Sequence, residues 1–586
     1  MPDPTLPIQS LLRAGRVAEA EAACRQALKS DPKSPRLLLL LGQILFHTGR
    51  PADAARILDK AASCRPVPVE AAIMLGVAQE ALGKLDKAEK AYRLAIGLRP
   101  TAQACFNLGN VFRRQGRDGD ALACYRQAHD LAPGDTRILG ALIARKQALC
   151  DWEGLEALSA RLLAGLDAGG APVDPFRLLS LDFPEDALQR CARRWAGQFP
   201  ARPAAAAVPP RPKERLTIGY LSADFRNHAV AHLAAELFER HDHTRFRILA
   251  YSVGPDDGSA MRRRLMAAFD AFHDMEDRPA SVVAGRIAAD GVDILVDLTG
   301  YTRGGRPDVL AARPAPIQVN YLGYPGTLGA GFADYIVADP ISLPMNRQPF
   351  YDERIVHLPV CYQANDRKRP LPSQAPSRAE CGLPGDAVVL ACFNAVHKIT
   401  PAVFAVWLDL LRAEDGTVLW LLADDPAAER ALRAAAEGRG VCGGRLVFAP
   451  KVPIADHLAR YRVADLFLDT VPYNAHTTAS DALWVGCPVV TVTQGTFASR
   501  VAASLLNAVG LPGLACRTFD DYAARARALI RDPGERKRLR AHLEDGRASA
   551  PLFDTPRLAR DLERAFATMW DRHVAGLPPA SFAVEG

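Results

Sequence analysis

Long apolar runs are missing from this sequence. Its longest aliphatic run, Leu37 to Leu41, is a fraction of the roughly 20 residues that cross a bilayer, and the opening Met-Pro-Asp-Pro-Thr-Leu-Pro has no basic segment followed by an apolar core. No membrane association is expected. Paired cysteines are missing too. The twelve cysteines, among them Cys24, Cys64, Cys105, Cys124, Cys150 and Cys191, stand singly with no Cys-X-X-Cys spacing, which argues against zinc or dithiol chemistry and for free thiols in a reducing cytoplasm. Charge of one sign is not concentrated anywhere. The 72 Lys and Arg exceed the 66 Asp and Glu by six over 586 residues, unlike the basic stripe of a nucleic-acid binder. An Asp-X-Asp pair, Asp118 and Asp120, lies far from any strand end, so neither a metal nor another cofactor is expected.

What is present is periodicity. A chain of this length holds several domains, and its first 137 residues repeat: Gly15, Gly49, Gly83 and Gly116 recur at 34, 34 and 33 residues, in step with Pro32, Pro66, Pro100 and Pro133, and Ala27, Ala61, Ala95 and Ala128 each precede a proline by five. That interval predicts an α solenoid of four tetratricopeptide units, each a helix pair turned at a glycine. Such an array binds a protein or peptide along its groove; bracing the chain or forming a homodimer is the alternative use. Residues 138–213 read as a helical cap, with Trp152, Leu155, Leu158 and Leu162 at helical spacing, ending in a Pro/Ala-rich hinge over 200–213.

Beyond the hinge, apolar runs alternate with helical stretches. Runs at 216–221, 246–253, 292–298 and 317–322 predict a parallel α/β lobe over 214–362; after a Pro-rich linker, 363–384, runs at 387–393, 417–423, 445–450, 466–469 and 488–493 predict a second over 385–576. Two doubly wound, Rossmann-like domains leave a cleft between the carboxyl edges of their strands.

The richest stretch is Leu466 to Arg500. A strand ends at Asp469, Pro472 to Asn474 break it, and His476, Thr477 and Thr478 stand at the start of a helix carrying Asp481 one turn in. Unpaired amides and a partial positive charge at a helix start suit a diphosphate, and an acid nearby suits a ribose; a merely capped turn is the plain alternative. Lys398 precedes Pro401, the first residue of another expected helix, where an ammonium reaches a phosphate. His457 and Arg460 open a third helix and could flank a base. In the first lobe His228 sits where a helix begins after the first strand, placed to take a proton from a hydroxyl.

Together, the repeats followed by Ile-Gly-Tyr-Leu-Ser-Ala-Asp-Phe-Arg-Asn-His, Phe-Asn-Ala-Val-His-Lys-Ile-Thr-Pro, Asn-Ala-His-Thr-Thr-Ala-Ser-Asp-Ala-Leu-Trp and Ala-Ser-Arg-Val-Ala-Ala-Ser-Leu-Leu resemble the O-linked N-acetylglucosamine transferases, from the repeats to about Gly576. The resemblance implies a GT-B fold and inverting, metal-independent transfer of N-acetylglucosamine from UDP-GlcNAc to Ser or Thr of a protein. It implies that Lys398, His476, Thr477 and Thr478 bind the diphosphate, Asp481 the ribose, and His457 with Arg460 the uracil side, with His228 at the reaction centre. Asp293, Ala395 and His397 depart from the animal pattern. Another donor (a UDP-hexose or GDP-fucose), a non-protein acceptor, or a tetratricopeptide adaptor with inactive lobes are the competing readings.

Overall fold

The computed structural model describes residues 5–199, 212–423 and 425–586; most of the expected hinge, 200–211, lies outside the described residues. The chain divides into two compact units, residues 1–149 with 153–171 and residues 150–152 with 172–586.

The first unit is helical, in antiparallel pairs from Thr5–Arg13 to Leu155–Asp167. The four turn glycines adopt φ of 70 to 75°, a left-handed conformation that a Cβ disfavours, which is why glycine recurs there. Within the pairs, Gly42, Gly76 and Gly109 each lie against a side chain sixteen residues on, Leu58, Tyr92 and Tyr125, so close that a Cβ would overlap it. Ala61, Ala95 and Ala128 are fully buried. The expected cap is divided: helices Thr136–Ala148 and Leu155–Asp167 belong largely to this unit, whereas the short turn Pro175–Leu178 and helix Glu185–Ala196 belong to the second.

The second unit holds two sheets whose recorded pairings are all parallel. The first contains β1 (Leu216–Ser222), β2 (Phe246–Ser252), β3 (Ala271–Asp274), β4 (Ile294–Asp297), β5 (Ile317–Asn320), β6 (Tyr335–Ala338) and β7 (Arg354–His357). The second contains β8 (Val388–Cys392), β9 (Thr417–Leu422), β10 (Leu446–Ala449), β11 (Leu466–Leu468), β12 (Val489–Val492) and β13 (Ala515–Cys516), in the order β10-β9-β8-β11-β12-β13. A final strand, β14 (Phe582–Ala583), returns to the first sheet beside β7, giving the order β14-β7-β6-β5-β4-β1-β2-β3.

Helix Thr555–Val574, expected with the second lobe, packs on helix Ala229–Arg240 of the first, and His241 Nδ1 meets Glu563 Oε1 at 3.0 Å. The C-terminal segment therefore straps the lobes together, and one hydrophobic core runs through both sheets. No helix among the described residues is long and apolar enough to cross a membrane.

Candidate active site

The second lobe's site is built by the register of its central strands. β11 pairs with β8 so that Phe467 is level with Ala391, an offset of 76 residues. Continued past the strand ends, the same offset sets Thr470 beside Asn394 and Asn474 beside Lys398. Both meetings occur: Asn394 Nδ2 donates to Thr470 Oγ1 at 2.8 Å, and Lys398 Nζ donates to the Asn474 carbonyl at 2.9 Å while lying 3.5 Å from the centre of the Tyr473 ring.

Buried Asp469 anchors the turn, accepting from the amides of Thr470 and Ala475, each at 2.7 Å, from Thr491 Oγ1 at 2.6 Å and from Asn394 Nδ2 at 3.1 Å. A carboxylate so donated to is satisfied without water, which keeps this loop fixed. Burial nevertheless pushes its pKa up to about 6, and burial pulls the Lys398 ammonium down to about 8, the neighbouring Asp469 opposing the fall.

The turn feeds helix Thr477–Trp484. His476 occupies the N-cap, where Ser, Thr, Asp or Asn normally accepts from the first turn, but its ring makes no such bond. It faces the other way, Nε2 lying 3.3 Å from the Ala498 carbonyl. A carbonyl only accepts, so the imidazole carries its proton on Nε2; burial and the Lys398 charge hold its pKa down to about 3, keeping it neutral. Among the described residues no protein group accepts from the amides of Thr477, Thr478 or Ala479. Thr478 Oγ1 donates to Asn394 Oδ1, and the Thr477 hydroxyl has no protein partner among the described residues. Lys398, distant in sequence, thus joins the consecutive His476, Thr477 and Thr478 at one helix start.

A second cluster joins His457 and Arg460, on helix Ile454–Tyr461, to Asp481 on helix Thr477–Trp484. Arg460 Nη2 donates to His457 Nδ1 at 2.5 Å and its guanidinium lies 4.2 Å from the Phe393 ring centre. His457 Nδ1 is therefore an acceptor and Nε2 holds the proton, facing Asp481 Oδ2 at 3.7 Å. Burial and Arg460 lower the His457 pKa to about 3. Asp481, expected at the ribose, has its other oxygen on Arg369 Nη1 at 2.9 Å, and burial raises its pKa to about 6.

His228 lies in the first lobe, at the N-cap of helix Ala229–Arg240, with 38% of its side chain exposed. One atom, Nδ1, has two suitors at equal distance: it accepts from the Val230 amide at 3.4 Å, and Asp224 Oδ1 lies 3.4 Å away. These demand opposite proton states, a lone pair for the amide and an N–H for the carboxylate. Burial and Arg226 lower the imidazole to about 4, while burial raises the Asp224 carboxyl to about 6. The contacts of His228 stay within its own lobe, although its helix packs on helix Thr477–Trp484 across the cleft. Sequence reasoning missed Asp224, Asn394 and Arg369; Asp224 and Asn394 each lie two residues past a strand end and were legible as such. Among the described residues no group of three or more His, Cys, Asp or Glu is placed to hold a metal ion.

Two parallel-sheet lobes, one after the other along the chain, define a fold of the GT-B class. The chain belongs to Glycosyl transferase family 41, whose sequence model matches residues 204–374 and 372–562, and a tetratricopeptide repeat model matches 8–71, 51–102 and 73–136. It is similar to the probable UDP-N-acetylglucosamine–peptide N-acetylglucosaminyltransferase SEC of Arabidopsis thaliana, 36% identical over 377 residues, 63% of this chain and 39% of that one. It is similar also to the UDP-N-acetylglucosamine–peptide N-acetylglucosaminyltransferase of Caenorhabditis elegans, 28% identical over 62% of this chain and 41% of that one, so the match spans about two fifths of these relatives. A solved lysine-to-methionine mutant of the Thermobaculum terrenum O-GlcNAc transferase superposes with a TM-score of 0.69 at 30% identity, covering 92% of this chain and 98% of that one.

Proposed function

We propose that this protein transfers N-acetylglucosamine from UDP-GlcNAc to Ser or Thr hydroxyls of protein acceptors, with inversion and without a metal ion. The observation that carries the reading is the helix start at Thr477, whose free amides, Thr477 hydroxyl and neutral His476 Nδ1 converge with the Lys398 ammonium. The names of the relatives supply the donor sugar and the peptide acceptor.

The donor's diphosphate takes the amides of Thr477, Thr478 and Ala479 and draws Lys398 from the Asn474 carbonyl. Charge leaving with UDP is met by an ammonium and a helix dipole already in place, the task a divalent ion performs elsewhere. Uridine extends toward His457, Arg460 and Asp481. The acceptor Oγ attacks the anomeric carbon on the face opposite UDP, the bond to the β-phosphate oxygen breaks with its electrons going to UDP, and the hydroxyl proton passes toward His228. A lowered imidazole pKa makes a weak base; with Nδ1–H turned to Asp224, the Nε2 lone pair takes the proton and the carboxylate stabilises the imidazolium as it forms. The repeats hold the acceptor protein, and the reaction belongs in the cytoplasm.

Incubation of the protein and a cell lysate with tritiated UDP-GlcNAc in EDTA should label protein through an alkali-labile Ser or Thr linkage. Absence of labelled protein, or labelling only from GDP-fucose or another UDP-hexose, overturns the assignment.

A further inference from the structure

We propose that the groove between helices Pro51–Ala62 and Leu85–Leu98 of the solenoid docks an acidic segment of a partner protein, anchored by an apolar side chain. Helix Pro51–Ala62 has 12 residues where the second helices of the other repeats, Val17–Ser30, Leu85–Leu98 and Asp118–Leu131, have 14. Residues 63–68 fill the missing length with a six-residue connection, against four and three at the corresponding junctions 31–34 and 99–101. Beside helix Pro51–Ala62 lies a groove of 540 Å³ with the third repeat's first helix, Val69–Ala81, as its floor.

The floor helix contributes Leu75 and Gln79, whose Oε1 is buried without a partner among the described residues, Leu82 follows it, Ala91 lies on the facing wall, and Leu94 is 40% exposed. The rim carries Arg56, Lys84, Lys87 and Lys90 against a single acid, Asp59. Charge on the helix running from Lys84 is sorted by face. Asp86 and Glu89 turn to the next repeat, where Gln115 donates to Asp86 and Arg117 to Glu89, while Arg93 also takes Glu89. Lys84, Lys87 and Lys90 face the groove, with no ion pair to any described residue. Three uncommitted ammonium groups around a groove lined by Leu75, Leu82, Ala91 and Leu94 are complementary to carboxylates flanking a leucine-like side chain. A nucleic acid fits worse, because the lining offers no aromatic ring on which a base could stack. This inference is independent of the transferase reading.

The test uses the full chain and a short fluorescein-labelled peptide of glutamates flanking a Leu-Leu pair, read by fluorescence polarisation. The intact protein should bind it, K84E/K87E/K90E should weaken binding about tenfold or more, and K29E/K60E, on surfaces outside the groove, should leave it unchanged; circular dichroism checks that each variant is folded. An all-glutamate peptide lacking the leucines should bind more weakly. No binding by the intact protein, equal binding by the triple variant, or a polyuridine oligomer that binds more tightly than the peptide and is lost with the same three lysines overturns the proposal.

Discussion

Each lobe places a histidine at the same structural position, the N-cap of a helix that follows a central strand, and the two do different things there. His476 turns its ring away from its helix toward the Ala498 carbonyl, leaving the first-turn amides unspent. His228 turns its ring inward, Nδ1 lying 3.4 Å from both its own Val230 amide and Asp224 Oδ1. Both are held neutral by burial. The difference lies in what each ring satisfies: in the function proposed above an uncapped start seats an anion, whereas a histidine beside a carboxylate handles a proton. Position in the fold is shared, and the neighbours decide the role.

The hardest blow to this contrast falls on the seat itself. K398A should lower kcat about 100-fold or more, the scale of removing one preorganised group that meets leaving-group charge, while helix content stays unchanged; near-normal turnover with UDP-GlcNAc removes Lys398 from the chemistry. Next, H476N and H228N should separate in calorimetric titration with UDP. H476N loses a neighbour of the diphosphate and should bind UDP about tenfold more weakly, the scale of a hydrogen bond to a charged group, whereas H228N should bind it within about twofold and lose turnover instead. Equal effects on UDP affinity collapse the distinction.

A smaller effect sharpens the first-lobe half. With the Asp224 carboxyl raised to about 6, acidification protonates it before His228, at about 4, and removes the charge that stabilises the imidazolium. Wild-type turnover should fall as pH drops through about 6. D224N should be about tenfold slower at neutral pH and should lack that limb, and a D224N profile parallel to wild type shows that Asp224 only braces the loop.

Much of this arrangement was legible in the residues because the candidate residues sit where chain direction already points. Apolar runs located β8 and β11, and the breakers after Asp469 located the turn, so the seat could be read as a strand, a turn and a helix start. What could not be read depends on register between distant segments. Nothing near Lys398 in sequence announces that a 76-residue offset carries it onto Asn474, and Arg369 stands in what reads as a polar linker until its 2.9 Å bond to Asp481 appears. The short strands β13 and β14 were invisible for a related reason: two residues carry no period, and only their partners β12 and β7 make them strands. The C-terminal helix reads as amphipathic either way, and which lobe receives its apolar face is settled by packing.

The faintest signal comes from pairing opposite shifts. His457 has a folded pKa of about 3 against an ordinary value near 6.5, so between those limits the unfolded chain binds the proton and acidification destabilises the fold. Asp481 is raised to about 6 from near 3.8, so across that lower interval the folded chain binds the proton and acidification stabilises it. Near pH 5 the two contributions have opposite sign and similar size, and they cancel. H457Q should leave the Asp481 contribution exposed, so that stability relative to wild type rises as pH falls from 6 to 4; D481N should do the reverse, at up to about 1.4 kcal/mol per pH unit for one proton. Urea denaturation at several pH values reads the slope independently of any constant loss from stranding Arg369. Slopes of the same sign in both variants would mean that the second lobe's imidazole and carboxyl are not tuned apart by burial, and the resemblance to the Asp224 and His228 pair across the cleft would then be one of geometry alone.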